Sequence, residues 1–401
     1  MNMTTNFDEL EEERIGEENE DDLTNVDKDN FSDAVLWSTD WTTETIISQL
    51  KKGNIELNPE FQRRDAWGAD RKSSFIESII LGLPIPQIIL AERKDKRGSY
   101  IVIDGKQRLL SIRQFCVTDE DDVFTPLKLK GMKILKDLNG KDFNKIKGEL
   151  DFSRYISAFE NQSIRTVFIR NWPNQNFLYT VFLRLNAGSL PLSPQELRQA
   201  LNPGLFTSFA DNFSRENEQI QKALGIKKPD YRMRDVEVVV RYFAFKNFIE
   251  SYTGNLKDFL DRTCELINVR WVNERDFFEH QAEELNNAIK ATFEIFSENA
   301  FCKFADGQFT RIFNRPIYDI MTYYLSIPEV RSAAIDNKHE VKQRFQNLCS
   351  TDIDFLKSLE ASTKNVEPTS KRFFAWGSVL KEVLNLEMKV PQRTNDGIKL
   401  L

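Results

Sequence analysis

The chain has 401 residues and a formal net charge of −7, with 55 Lys+Arg against 62 Asp+Glu. That length predicts two domains with room for a third, each able to build a core without disulfide or metal staples. The average charge speaks against a simple basic nucleic-acid binder, but it hides an uneven distribution. Residues 1–30 hold twelve acids and two bases, a net of −10, while the other 371 residues hold 53 bases and 50 acids, a net of +3.

The first 30 residues are poor in aromatics and read as a disordered acidic tail. The tail is either a solubilising segment or a phosphate mimic that competes for the protein's own anion site. With no basic start and no apolar run it is not a signal peptide. Order is expected from about Phe31. WTTETIISQLKKG predicts a short helix stopped by Gly53, and NPEFQRRDAW a polar loop. Asp70 can cap the next helix, whose Phe75, Ile76, Ile79, Ile80 and Leu83 recur at helical spacing up to Gly82. The Leu-Pro-Ile-Pro stretch breaks it. QIILAE and SYIVID read as paired strands around the turn DKRG, and GKQRLLSIRQFC as a helix with Leu109, Ile112 and Phe115 on one face.

After a variable stretch with one or two helices in LKDLNGKDFNKIKGEL, SIRTVFIRN reads as a strand and FLYTVFLRLNAG as a helix. In PLSPQELRQAL, Ser193 is the N-cap, Pro194 the first helical residue and Glu196 the partner in a capping box. Beyond about residue 200 strand signals nearly vanish. RDVEVVVRYFAFKNFIES, NLKDFLDRTCELINVRW, ERDFFEHQAEELNNAIKATFEIFSE, NRPIYDIMTYYL, HEVKQRFQNLCS and SKRFFAWGSVLKEVLNLE predict a domain of five to eight helices. The expected architecture is α+β: an acidic tail over 1–30, a mixed domain over 31–200 and a helical domain over 201–401.

No segment is long and apolar enough for a membrane span, so no membrane partner is expected. Cys116, Cys264, Cys302 and Cys349 lie far apart and read as reduced thiols of a cytoplasmic protein. His280 and His339 sit in charged helical stretches as solvated residues, without the close ligands of a zinc or HNH-type nuclease site. The Walker P-loop, the GxSxG elbow, HExxH and the kinase motif set are absent.

One place carries chemistry. The strand SYIVID runs into Asp104-Gly105 and then a helix whose first turn holds Lys106, Gln107 and Arg108. Free N–H groups and a partial positive charge at a helix start suit a phosphate. Gly105 permits close backbone approach, and Lys106 and Arg108 add cations. Asp104 either caps the helix or holds a magnesium ion bridging phosphates. Gln62, Arg63 and Arg64 cluster beside Trp67 and either clamp phosphates or pair with Asp104. Arg184 and Asn186 sit near a helix end, and Arg232 and Arg234 at a helix start, where Asp235 compensates them or an anion does.

The runs NPEFQRRDAW, SFIESIILGLPIP, YIVIDGKQRLLSI, VFLRLNAGSLPLSPQELRQAL, RMRDVEVVVRYFAF, FNRPIYDIM and TSKRFFAWGSVL, in that order over about residues 35–388, resemble the DGQQR-motif family, domain of unknown function family 262. That family includes the N-terminal domain of GmrSD-type modification-dependent restriction enzymes. The resemblance implies a ParB/sulfiredoxin-like N-terminal domain, nucleoside triphosphate binding or hydrolysis, and DNA-directed defence against phage. It places Gln62 and Arg63 on the family's QR, Pro84 and Pro86 on its PxP, Asp104, Gly105, Gln107 and Arg108 on its DGQQR, and Arg184 and Asn186 on its RxN. Lys106 replaces the motif's first glutamine, and the HNH nuclease module of fused relatives is missing.

The expected function is a nucleotide-binding, NTP-hydrolysing regulator or sensor, with Asp104, Gln107 and Arg108 catalytic. Gln62, Arg63, Gly105, Lys106, Arg184 and Asn186 would bind the phosphates, and magnesium at Asp104 is the expected cofactor. DNA and a separate effector protein are the candidate partners. The alternatives are a DNA-binding module, sensing modified DNA without catalysis, and a protein-docking adaptor.

Overall fold

The computed structural model describes residues 34–55, 57, 66–117, 124–185, 193–360, 366–395 and 397–401. The acidic tail over 1–30 therefore lies outside the described residues. The chain divides into two compact units at Leu201/Asn202, where the strand-bearing sequence gives way to helical patterns. The architecture is α+β, a mixed first unit and a mostly helical second.

The first unit is built on a four-stranded sheet in the order β1-β4-β2-β3. Its strands are β1 (Val35–Thr42), β2 (Ile88–Glu92), β3 (Tyr100–Asp104) and β4 (Ser163–Arg170). β1 is antiparallel to β4, β4 parallel to β2, and β2 antiparallel to β3. Helices flank the sheet as α1 (Thr43–Lys51), α2 (Ala69–Ile80), α3 (Lys106–Phe115), α4 (Phe143–Gly148), α5 (Ser153–Asn161), α6 (Gln175–Leu185) and α7 (Pro194–Leu201).

Both faces of β2 and β3 are covered, although β3 lies at the sheet edge, which is why IILAE and YIVID are apolar runs instead of alternating ones. Ile88, Leu90, Tyr100 and Val102 pack with Ile76 and Ile79 of α2 and with Leu109, Ile112 and Phe115 of α3. On the opposite face, Ile89, Ala91, Ile101 and Ile103 pack with Phe177, Leu178 and Tyr179 of α6 and Leu197 of α7. Burying each large apolar side chain contributes about 1.5–3 kcal/mol, so α3 is clamped onto the sheet that delivers its first residue.

The local signals resolve as follows. Thr42 Oγ1 accepts from Thr45 N at 3.2 Å and caps α1, so Trp41 and Thr42 end β1 instead of opening the helix. Gly53 and Gly82 follow α1 and α2 with φ of +69° and +70°, the left-handed stop their sequences announced. Gly68, not Asp70, is the N-cap of α2, and Leu83 lies past the helix end, 46% exposed. Glu77 of α2 accepts from the backbone N–H groups of Ile134 at 2.8 Å, Leu135 at 2.7 Å and Lys133 at 3.3 Å. Burial alone would raise its carboxyl, but these three N–H groups and the Lys133 charge leave it below its ordinary value.

The second unit holds α8 (Leu205–Glu216), α9 (Glu218–Ala223), α10 (Arg234–Phe248), α11 (Leu256–Phe296), α12 (Arg315–Leu325), α13 (Pro328–Asp336), α14 (Lys338–Thr351), α15 (Ile353–Glu360) and α16 (Val366–Leu384). The two helices expected over 255–298 form the single 41-residue α11, with non-helical backbone at Glu274. Two hairpins were not anticipated: β5 (Cys302–Ala305) with β6 (Gln308–Phe313), and β7 (Pro391–Thr394) with β8 (Gly397–Leu400).

Three C-terminal motifs meet in this unit's interior. Arg241 of α10 forms a bidentate, fully buried pair with Asp319 of α12. Glu237 faces Arg315 at 3.3 Å. Arg372 of α16, also fully buried, donates to the Ser358 carbonyl at 2.8 Å and to Thr369 at 3.0 Å. These motif arginines hold helices together rather than facing solvent.

Two stability predictions follow from these contacts. Asp319→Asn strands Arg241 in the core and should lower unfolding free energy by about 3–5 kcal/mol in urea; a loss under ~1 kcal/mol would contradict a buried pair. The stabilisation from Glu77's depressed pKa is present above its unfolded value, about 4.3, and is lost as pH falls through the lower folded value. Glu77→Gln should therefore cost about 1–3 kcal/mol at neutral pH and flatten the acid limb of a Tm-versus-pH curve. A parallel offset at every pH would contradict it.

Candidate functional site

The strand-to-helix junction places its residues by backbone geometry. Asp104 ends β3. Gly105 is the N-cap of α3, with φ +99° and no side-chain cap, so Asp104 does not cap the helix as one reading expected. A Cβ on Gly105 would lie 3.1 Å from Ile88 Cγ1 and 3.3 Å from Arg108 Nη2. The residue is thus held to glycine both by its left-handed backbone and by the guanidinium packed over it.

Among the described residues, Asp104 pairs with Arg108 and Lys106 with Glu196 across the turn. Asp104 Oδ1 accepts from Gly105 N at 2.7 Å, and its Oδ2 accepts from Arg108 Nη2 at 2.6 Å. The same Nη2 donates to the Gln87 carbonyl at 3.0 Å. Lys106 Nζ donates to Glu196 Oε1 at 2.5 Å, with both side chains only 6% exposed. Glu196 Oε2 accepts from Ser193 N at 2.7 Å, and Ser193 Oγ accepts from Glu196 N at 3.1 Å. This is the capping box that the sequence of α7 spells out. The lysine expected to face a phosphate is instead paired to α7. Among the described residues, each of the turn's two cations meets a carboxylate.

Unused polarity remains. Gln107 Oε1 and Arg108 Nε are buried with no hydrogen-bond partner among the described residues. On α7, Gln195 is buried and its Oε1 accepts from Arg198 Nη1 at 2.6 Å, while its Nε2 has no partner among the described residues.

The other expected members are placed as follows. Arg184 is exposed in the last turn of α6. Gln62, Arg63 and Asn186 lie outside the described residues. Arg232 and Arg234 belong to the second unit. Asp230 accepts from Arg234 Nε at 2.6 Å and from the backbone N–H groups of Arg232 and Arg234, each at 3.2 Å, and Asp235 accepts from Val236 N at 3.0 Å. Among the described residues no group of three or more His, Cys, Asp or Glu is placed to hold a metal ion. Asp104 gives one oxygen to Gly105 N and the other to Arg108 Nη2.

The junction sits inside the segment that the comparisons recognise. Residues 43–202 match the GmrSD restriction endonuclease, N-terminal domain family. The match spans β2, β3 and β4 and helices α1 to α7, with β1 just before it, and bears out the resemblance read from the DGKQR run and its neighbours. The similarity is confined to residues 43–202 and stops before the helical motifs. No curated protein and no solved structure matches the chain. His280 and His339 are exposed on α11 and α14. The four cysteines are buried thiols in no disulfide, and among the described residues no helix is long and apolar enough to cross a membrane.

Gly105→Ala should lower stability by about 1–2 kcal/mol, the cost of left-handed backbone for an L-residue, and displace Arg108. Equilibrium urea unfolding checks it, and an unchanged midpoint would contradict the turn geometry.

Proposed function

We propose that this chain is a nucleoside-triphosphate-binding and -hydrolysing sensor of a restriction-type phage-defence system acting on DNA. The observation that carries the reading is the Asp104–Arg108 junction in a GmrSD_N-type domain: a left-handed glycine, a helix start, and a buried arginine held by the carboxylate four residues before it. The unpaired polar atoms of Gln107 and Arg108 support it.

In this reading the triphosphate enters at the start of α3 and takes Arg108 from Asp104. Asp104 is the more exposed partner of that pair, 25% against 7%, so exchange costs less here than at the buried Lys106–Glu196 pair. Released from the guanidinium, Asp104 Oδ2 accepts a proton from water while the water oxygen attacks the γ-phosphorus. The bond from that phosphorus to the β–γ bridging oxygen breaks, giving nucleoside diphosphate and inorganic phosphate. Gln107 Oε1 orients the water. Arg108 stabilises the charge on the transferring group, the main requirement of phosphoryl transfer. Magnesium in this reading arrives with the nucleotide, and no step relies on a protein-held ion. The nucleotide state then gates DNA or a separate effector protein.

Phosphate release from ATP, GTP, CTP and UTP tests this. Asp104→Asn should lower kcat by about 100-fold or more with KM unchanged or lower, because a competitor for Arg108 is weakened. Arg108→Ala should raise KM and lower kcat together. Equal turnover by wild type and both variants overturns the reading.

A further inference from the structure

We infer that the lysine-rich face of the first unit, over residues 126–149, grips the phosphate backbone of duplex DNA. The inference rests on the DNA part of the reading above and deepens it. It does not depend on nucleotide hydrolysis.

The distribution of charge singles this segment out. Residues 126–149 carry seven lysines and three acids, a net of +4. Residues 31–401 carry +3 in all, so the rest of that body is −1. Four acids over 119–122 precede the segment in sequence and lie outside the described residues.

The fold turns the lysines outward and fixes them there. Leu127, Leu129, Met132, Leu138, Phe143 and Ile146 are buried in the core beneath, whereas Lys128, Lys130, Lys133, Lys136, Lys145 and Lys147 are exposed. The backbone that carries them is pinned to α2. Lys130 N donates to Ser73 Oγ at 2.9 Å, and Glu77 holds the N–H groups of Lys133, Ile134 and Leu135. Leu129 N donates to the Lys141 carbonyl at 2.9 Å, and Gly140 N to the Leu129 carbonyl at 2.7 Å. These two bonds fold the second half of the segment back beside the first, so both sets of lysines share one surface.

The segment's own acids are largely occupied. Asp142 Oδ1 accepts from Lys145 N at 3.0 Å as the cap of α4, and Glu149 pairs with Lys141 at 2.7 Å. Lys130 Nζ lies 3.8 Å from Asp70, with side chains 72% and 69% exposed, a pair worth little in water. Lysines presented in this way neutralise phosphates and release counterions without reading bases. The segment's one aromatic, Phe143, is buried, so bases find no stacking platform here. That favours a duplex, with its charge on the outside, over a single strand.

Fluorescence anisotropy of a labelled DNA duplex over a salt series tests this with the full chain. The proteins are wild type, the quadruple variant Lys128→Gln/Lys130→Gln/Lys133→Gln/Lys136→Gln, and Lys227→Gln/Lys228→Gln as a control on two exposed lysines of the second unit. The quadruple variant should reduce the slope of log K against log salt by about 3–4, close to one per lost phosphate contact, and weaken binding at low salt by about tenfold or more. Its urea midpoint should stay at the wild-type value, because the removed charges are exposed. The control should keep the wild-type slope. A wild-type slope in the quadruple variant, or an equal loss per lysine in the control, overturns the inference while DNA binding itself stands. Wild type that binds phosphatidylserine vesicles through these lysines, and not DNA, overturns it and makes the face a membrane site. Failure of wild type to bind either at low salt overturns the DNA part of the proposed function, and the inference with it.

Discussion

A guanidinium buried over a left-handed glycine and held by the carboxylate four residues before it is the constraint on which the candidate site depends. Asp104, Gly105 and Arg108 fix one another: the glycine admits the turn, the turn brings the carboxylate back over the first helical turn, and the arginine fills the space a Cβ would need. The sheet layers serve this junction. β3 and α3 are each buried against the core, so the turn between them has little freedom of its own. Preorganisation of that kind is what a phosphate site requires, because phosphoryl transfer draws mainly on positioned charge.

Charge balance at the turn changes how its cations are understood. Counted along the sequence, Lys106 and Arg108 make a positive junction inviting an anion. In the fold each has a carboxylate, and the two pairs differ in depth. On the proposed reading an anion enters by exchange, at the more exposed Asp104–Arg108 pair. Such a self-paired site would select against weak anions, which would not displace a carboxylate already in contact with Arg108.

Much of the first unit was legible because its signals are local. The apolar runs of β2 and β3, the glycine stops at Gly53 and Gly82, and the Ser193–Glu196 capping box are each readable within a few residues. β1 escaped because it is an edge strand with Val35, Leu36 and Trp37 exposed, so no burial pattern marks it. The β5–β6 hairpin had a readable sign in Asp306-Gly307, both with positive φ, a pairing that favours a tight hairpin turn, but it is short and lies between long helical patterns. Lys106–Glu196 was not legible at all. A pair separated by ninety residues has no spacing rule, and the lysine alone looks like a phosphate ligand. The C-terminal motifs, readable as strings, acquire a physical meaning only where Arg241, Asp319 and Arg372 converge in a core.

The most direct test of the central claim is a crystal structure of the full chain with tripolyphosphate. The account predicts Arg108 Nη2 on a phosphate oxygen and parted from Asp104, with Lys106 still on Glu196. Phosphate bound elsewhere with the Asp104–Arg108 pair intact, or Lys106 turned from Glu196 onto the phosphate, would contradict it.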